Sequence, residues 1–259
     1  MRNTNAILTI AYRDIAKLLK DRTRIMASFI FPIIFIGILG TSLQQNLAEG
    51  LGYNFLVFVV IGVLGQTIFQ STSAGIISLV EDRQNDFAQE MFIAPISRYS
   101  ILMGKIVGET LVSLVQIVGI IIFGYIMGIP LEATSLLRLI PCIFAVAFFG
   151  GSFGVFVMAN LNDQRAANQI FPFILFPQFF LAGVFNPIQH LPLPILIASR
   201  ISPMTYAVDL LRSIYYFGSP EYDKVVLFNP LLNITVVLGL GALFLLAGTY
   251  LFVKNERNR

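Results

Sequence analysis

Leu232 to Val253 is a run of twenty-two residues without one charged side chain. A helix of about 20 such residues, rising 1.5 Å per residue, crosses about 30 Å of hydrocarbon. Five further stretches are apolar over similar lengths, at Ile25–Leu43, Tyr53–Val80, Ile101–Gly128, Leu136–Asn160 and Ala166–Phe185, their few charges lying near one end. In lipid every backbone N–H and C=O needs a partner, which leaves helices and closed barrels as spanning structures. The runs are too long and too continuous for barrel strands, so they predict helices. Charged residues make up only 12% of the 259, against about 25% in soluble domains. The expectation is an all-α integral membrane protein with six transmembrane helices in one transmembrane domain over residues 1–259. The spans are expected at 25–43, 53–80, 101–128, 136–160, 166–185 and 232–253. The first apolar run begins well into the chain and lacks a small-residue cleavage site, so it reads as a retained span and not a signal peptide.

The stretch 81–100, EDRQNDFAQEMFIAPISRYS, interrupts this pattern with charges and amides between two apolar runs. On a helical wheel Val80, Phe87, Met91 and Ala94 share one face, while Asp82, Asn85, Asp86, Gln89 and Glu90 take the other. Pro95 ends that amphipathic helix, and Ser97 or Ser100 can cap the helix that follows. A polar elbow longer than a turn requires is a site for gripping something, or else a solvated loop. The N-terminal segment, residues 1–23, is amphipathic too. Ile7, Leu8, Ala11, Ile15, Leu18 and Leu19 fall on one side, and Arg13, Asp14, Lys17, Lys20 and Asp21 on the other. Such a helix lies in the membrane interface with its lysines towards anionic headgroups.

Residues 186–231 form the longest segment without a full span, broken by six prolines. Its apolar pieces, Leu193–Ile201 and Met204–Tyr216, are too short or, through Arg200, Asp209 and Arg212, too charged to cross, so they are expected to dip in and return. Polar groups inside spans are costly against lipid. Gln66 and Gln70, four residues apart, should face the bundle or a pathway, as an interhelical hydrogen bond or as ligand contacts. Lys105 and Glu109 have the spacing of a helical ion pair. Gly104-x-x-x-Gly108 and Gly124-x-x-x-Gly128 allow close backbone approach, and Gly150, Gly151 and Gly154 cluster in the fourth span. Span five packs Phe171, Phe173, Phe176, Phe179 and Phe180 around two prolines. They face lipid, fill a core, or line a path for an apolar or aromatic cargo.

Several function classes fall away. The net charge is +3, but the basic residues sit at the ends of apolar runs, so nucleic acid is not a partner. Cys142 and His190 are each the only residue of their kind, which leaves no disulfide, no metal set and no catalytic constellation. No phosphate-loop motif occurs, so the chain binds no ATP of its own. Titratable groups near the midplane are too few for an ion-coupled pump. Placing both termini, the elbow and the 160–165 connector on one side collects 13 of 17 lysines and arginines there, which assigns that side to the cytoplasm. A passive channel, or a membrane subunit driven by another chain, remains.

The order of parts resembles the membrane (permease) subunit of type-2 ATP-binding-cassette exporters, a family that includes drug-resistance and polysaccharide exporters and is similar in fold to the G-subfamily pumps. The matching residues are Glu81 to Glu90 (EDRQNDFAQE) with Ala94 to Ser97 (APIS), similar to the family's first cytoplasmic coupling segment. Phe180 to Pro187 (FLAGVFNP), Leu191-Pro192 and Ser202 to Arg212 (SPMTYAVDLLR) resemble the end of its fifth span and its re-entrant helices. Asp86 stands where many members carry glycine. The resemblance implies a non-enzymatic subunit, paired with a second copy of itself or a homologous permease and with two copies of a separate ATPase that binds ATP and Mg. Both termini would lie on the cytoplasmic side of a prokaryotic inner membrane. ATPase coupling would fall to a cytoplasmic coupling helix with Glu81, Asp82, Arg83, Phe87, Glu90, Met91 and Pro95, and to a connecting helix with Arg13, Lys17 and Lys20. The substrate path would include Gln66, Gln70, Phe173, Phe176 and Phe180. A hydrophobic or amphipathic cargo, such as a drug or lipid, is the expectation; a polysaccharide or glycolipid exporter, or a passive channel, is the alternative.

Overall fold

The computed structural model describes residues 2–42, 44, 51–79, 97–161 and 164–257, and among them every regular element is helical. Helix α1 (Arg2–Lys20) is followed after Asp21 by α2 (Arg22–Ile34), which passes without a break into a π-helical stretch, Phe35–Gly40. Pro32 withholds an amide from the ladder just before that change of register, the kind of site where helices re-register. Helix α3 (Phe55–Gly75) starts at Asn54, whose side chain accepts the Val57 amide at 3.2 Å. Helix α4 (Arg98–Ile126) starts at Ser97, which accepts the Ser100 amide at 3.1 Å. Of the two serines expected to cap this helix, Ser97 does so, satisfying one of the orphan donors of its first turn.

Helix α4 stops at Gly128, whose φ of +71° is the left-handed geometry that favours glycine after a helix end. The second glycine of Gly124-x-x-x-Gly128 is therefore a stop signal and not part of a packing face. Helices α5 (Ala133–Arg138) and α6 (Ile140–Met158) divide the expected fourth span at Leu139. Pro141 lies in the first turn of α6, where a missing N–H leaves nothing unsatisfied. Helix α7 (Gln164–Leu181) contains Pro172 and Pro177. A 3₁₀ turn, α8 (Leu193–Ile201), α9 (Pro203–Tyr215) and α10 (Tyr222–Val225) occupy the proline-broken segment, and α11 (Pro230–Arg257) closes the chain.

Among the described residues four helices are long and apolar enough to cross a membrane: Phe55–Leu79, Tyr99–Ile126, Ile140–Met158 and Pro230–Lys254. The apolar part of the first expected span is a shorter helix, Ile25–Ile38. Helix α7, the fifth, has eighteen residues and carries Gln164, Arg165, Asn168 and Gln178. No helix between residues 186 and 229 exceeds thirteen residues, as the prolines there require.

Helix α3 is the axis of the bundle, packed against α4, α6 and α9, and nearly all of its side chains are buried. Glycine on the neighbours makes this possible. A Cβ on Gly150 would lie 2.6 Å from the Phe69 carbonyl, and one on Gly154 would lie 3.0 Å from the Ser73 Cα. With that contact open, Ser73 Oγ donates to the Gly150 carbonyl at 2.8 Å, joining α3 to α6. Gly151, on the other flank of α6, leaves room instead for the side chain of Ile106 of α4, whose Cγ1 would lie 2.8 Å from an added Cβ. Small residues at helix crossings of this kind let backbones approach where lipid offers no hydrophobic drive for association.

Candidate functional site

Along α3, Gln66 and Gln70 stand one turn apart, and Gln66 Nε2 donates to Gln70 Oε1. A cavity of about 330 Å³ opens beside them, walled by α2, α3 and α4 through Ser28, Phe31, Thr67, Ser71 and Gln116. A second cavity, of about 220 Å³, continues between α3 and α7 and is walled by Phe171, Leu175, Phe176 and Phe179. Phe31, Gln70 and Ala74 line both, so the two form one cleft with an amide-rich half and an aromatic half. Among the described residues no charged side chain lines either half. Gln66 is 2% exposed, and its Oε1, like that of Gln116, has no hydrogen-bond partner among the described residues.

The phenylalanines of α7 divide between three roles. Phe179 is buried at the back of the cleft: its ring meets Phe31 of α2, Phe35 of the π-helical stretch and Phe185 at centroid distances of 5.0, 5.2 and 4.9 Å. Offset and edge-on arrangements of this kind suit the aromatic quadrupole, and here they fasten α7 to α2. Phe176 faces the cleft. Phe173 and Phe180 lie outside both cavities; Phe173 is 81% exposed. Of the five residues expected on a substrate path, Gln66, Gln70 and Phe176 are brought together at the cleft, and Phe173 and Phe180 are presented outward. Gln116 belongs with the first group. An amide in the middle of the apolar sequence around it is as costly in lipid as Gln66, so the same rule locates it.

At the C-terminal end of α3 the structure joins three segments through charge. Helix α1 lies along α4 on the Gly104-x-x-x-Gly108 face, where a Cβ on Gly104 would be 3.0 Å from Ile10 Cβ and one on Gly108 would be 2.8 Å from Asp14 Oδ2. Lys105 Nζ donates to Asp14 Oδ1 at 2.9 Å and to Ser78 Oγ at 3.0 Å. Both charged side chains of this ion pair are almost fully buried. Helical spacing suggests Glu109 as the partner of Lys105; the ion pair the tertiary structure forms is with Asp14, which the periodicity of α1 places on its polar side. Helix α1 is thus rotated from the sequence reading: Ile10, Ala11, Asp14 and Leu18 are buried, whereas Leu8, Tyr12 and Leu19 are exposed. Arg13 is half-buried, and Lys17 and Lys20 are exposed. Glu81, Asp82, Arg83, Phe87, Glu90, Met91 and Pro95 lie outside the described residues, which resume at Ser97, the cap of α4.

The N-terminal end of α3 is held by α9. Arg212 is buried with its guanidinium carbon 3.5 Å from the centre of the Phe58 ring, and Nη2 donates to the carbonyls of Phe58 and Val184 at 3.3 and 3.0 Å. Cation–π contact and two carbonyls replace the water this group gives up. One turn earlier, Asp209 accepts the amides of Leu227 and Phe228 and the side chain of Asn233, each at 2.8 Å. Gln178 of α7 accepts from the Met204 amide at 3.3 Å and caps α9 from outside its own chain segment. Two of the three charges that bar this segment from crossing a membrane, Asp209 and Arg212, are therefore the ones that hold it inside the bundle, while Arg200 is exposed.

A bundle of long apolar helices around a buried helical axis, with a cleft beside it, is the geometry of a membrane protein. The sequence family described as ABC-2 type transporter matches residues 5–216. The chain belongs to the ABC-2 type transporter family. Its relatives include the transport permease ycf38 of Cyanophora paradoxa, 24% identical over 199 residues that cover 75% of this chain and 69% of that one. ABC transporter G family member 20 of Dictyostelium discoideum is 26% identical over 151 residues, 58% of this chain and 20% of the relative. The multidrug ABC transporter permease YbhR of Escherichia coli K12 is 23% identical over 172 residues, 64% of this chain and 45% of its own. The chain thus spans about half of one relative and a fifth of another. As an ABC-2 family member it is a multi-pass membrane protein of a transport family.

Proposed function

We propose that this ABC-2 permease is the membrane-spanning half of an ATP-driven exporter that moves a hydrophobic or amphipathic substrate outward. Six spans form one transmembrane domain, counting α2 with its π-helical extension and α7 beside the four long helices, and α8 and α9 form an outer re-entrant segment. Two permease copies, or this chain and a homologous permease, assemble with two ATPase subunits that bind ATP and Mg; the chain itself catalyses nothing. Both termini and residues 81–100 lie on the cytoplasmic side of a prokaryotic inner membrane.

The observation that carries the reading is α3. It is a buried helix with the cleft along its side, the Arg212 contacts at one end and the Lys105–Asp14 pair at the other. Force applied at residues 81–97 and on α1 enters at the second end, and a helix this tightly packed transmits it to the cleft instead of bending. The charge-free, partly aromatic walls favour an apolar cargo over a polysaccharide, whose hydroxyls need many more partners.

The test is co-purification of the permease with its ATPase and transport by the reconstituted complex. The double substitution Phe87→Asp and Met91→Asp is expected to leave insertion and ATPase binding sites on the partner intact while transport falls at least tenfold per ATP hydrolysed. Unchanged transport removes residues 81–97 from the coupling, and cargo movement by the isolated chain without nucleotide returns the assignment to a passive channel.

A further inference from the structure

We propose that the seam between α2 and α4 is a side entrance from the bilayer: a groove on its outer flank receives the apolar tail of an amphiphile, and Phe29 closes the way from there into the cleft. This rests on the reading of the cleft as the cargo path, and it adds where cargo comes from and which residue controls its entry.

The groove holds about 200 Å³ and is lined by Phe29, Pro32 and Ile33 of α2 and by Gly119, Ile120 and Phe123 of α4. None of these side chains carries a polar group, so water in the groove would find too few partners to stay. Around it Ile30, Val118 and Ile122 are 53–57% exposed. The two helices meet here inside their apolar stretches, Ile25–Ile38 and Tyr99–Ile126, and at that depth the molecule that fits an apolar groove is an acyl chain. Phe31, whose ring meets Phe179 of α7, lies across α2 from Phe29 and Ile33 by helical spacing. A second permease copy seated on the exposed face of α7 would therefore leave this flank to lipid.

The groove and the amide-rich cavity lie on two flanks of α2, and Pro32 lines both. Between them the ring of Phe29 occupies the place of the side chain that Gly119 lacks, because a Cβ on Gly119 would overlap the edge of that ring. Gln116, one helical turn before Gly119, already faces the cavity. Phe29 and Pro32 are thus the partition between bilayer and cleft. Helix α2 can yield at this point, since Pro32 removes a bond from the ladder and the π-helical stretch follows shortly after. A ring that leaves Gly119 exchanges protein contacts for acyl-chain contacts, and between two apolar surroundings no hydrophobic drive opposes it.

Entry is measured on the permease–ATPase complex in nanodiscs through one permease thiol in the cavity, Ser71→Cys in a Cys142→Ala background, with the label read on the permease band. Pyrenyl maleimide, which dissolves in the bilayer, and a water-soluble trimethylammonium methanethiosulfonate are applied separately, and the ratio of their rates cancels the reactivity of the thiol itself. Phe29→Ala should raise the ratio about threefold or more, and Ile33→Trp, which narrows the groove, should lower it by about as much. The chain has no natural tryptophan, so Ile33→Trp also reports what covers the groove. With the parent complex subtracted, phosphatidylcholine brominated along its chains should quench it as it quenches Trp at the exposed Phe144, and far more than Trp at the buried Phe149. A ratio unchanged in both variants overturns the entrance while the cargo path stands. Quenching of Ile33→Trp no stronger than that of Phe149→Trp places a second copy on the groove and overturns it too. If complete modification of Ser71→Cys leaves ethidium transport by the reconstituted complex unchanged, the cleft is not the cargo path and both readings fall.

Discussion

Replacing Asp14 with alanine takes one partner from an ion pair whose side chains are 1% and 3% exposed and leaves the Lys105 ammonium beside Ser78 in the packed junction of α1, α3 and α4. Breaking a buried pair by deleting one side costs about 3–5 kcal/mol, chiefly through the charge left behind. Ser78 and the other contacts of Lys105 remain, so the lower end, about 3 kcal/mol, applies. That is roughly a hundredfold increase in the population with α1 undocked. The assay is maleimide labelling of a cysteine placed at Leu18, which is 1% exposed, in a Cys142→Ala background. Labelling there requires local opening, so its rate reports the opening equilibrium. Asp14→Ala should raise the rate about a hundredfold. The double variant Asp14→Ala with Lys105→Met should raise it less, because the buried ammonium is no longer left without its aspartate, giving a coupling energy of at least about 1 kcal/mol in the cycle. A rate within threefold of the parent for Asp14→Ala, or a double variant as fast as the single, would refute the idea that this pair docks α1.

Two further outcomes probe the rest of the bundle. Gly150→Val should destabilise the protein by about 1–3 kcal/mol, read as thermal unfolding in detergent, because its Cβ would press on the Phe69 carbonyl; Gly239→Ala, with nothing within 4 Å of the added atom, should cost nothing. Asp209→Ala strands two amides and Asn233 and should cost about 3 kcal/mol, exposing the 217–229 segment to protease; retention of the parent cleavage pattern would show that those bonds do not hold the segment.

Much of the fold was legible because membranes impose blunt rules. Length, lack of charge and backbone satisfaction locate α3, α4, α6 and α11 from the sequence, and the prolines after Asn186 forbid a span there. Ser97 as a cap and Gln66 as an inward-facing amide follow from chemistry within a turn or two of each residue. The reading fails where one-dimensional periodicity meets a tertiary partner. Asp14 falls on the polar side of α1 by count, but Lys105, ninety-one residues later, draws that side into the bundle. The phenylalanines of α7 look alike in sequence, and only the position of α2 buries Phe179 at the back of the cleft and leaves Phe176 on its wall and Phe173 at the surface.

The sequence alone determined that this chain must be a bundle of apolar helices with a polar interruption after the second, because each of those facts depends on transfer free energy summed over neighbouring residues. Tertiary structure decided which glutamines share a cavity, which glycines seat a neighbouring helix and where the buried charges find partners. Those outcomes depend on distances between residues far apart in the chain, and no local sum of hydropathy or propensity contains them.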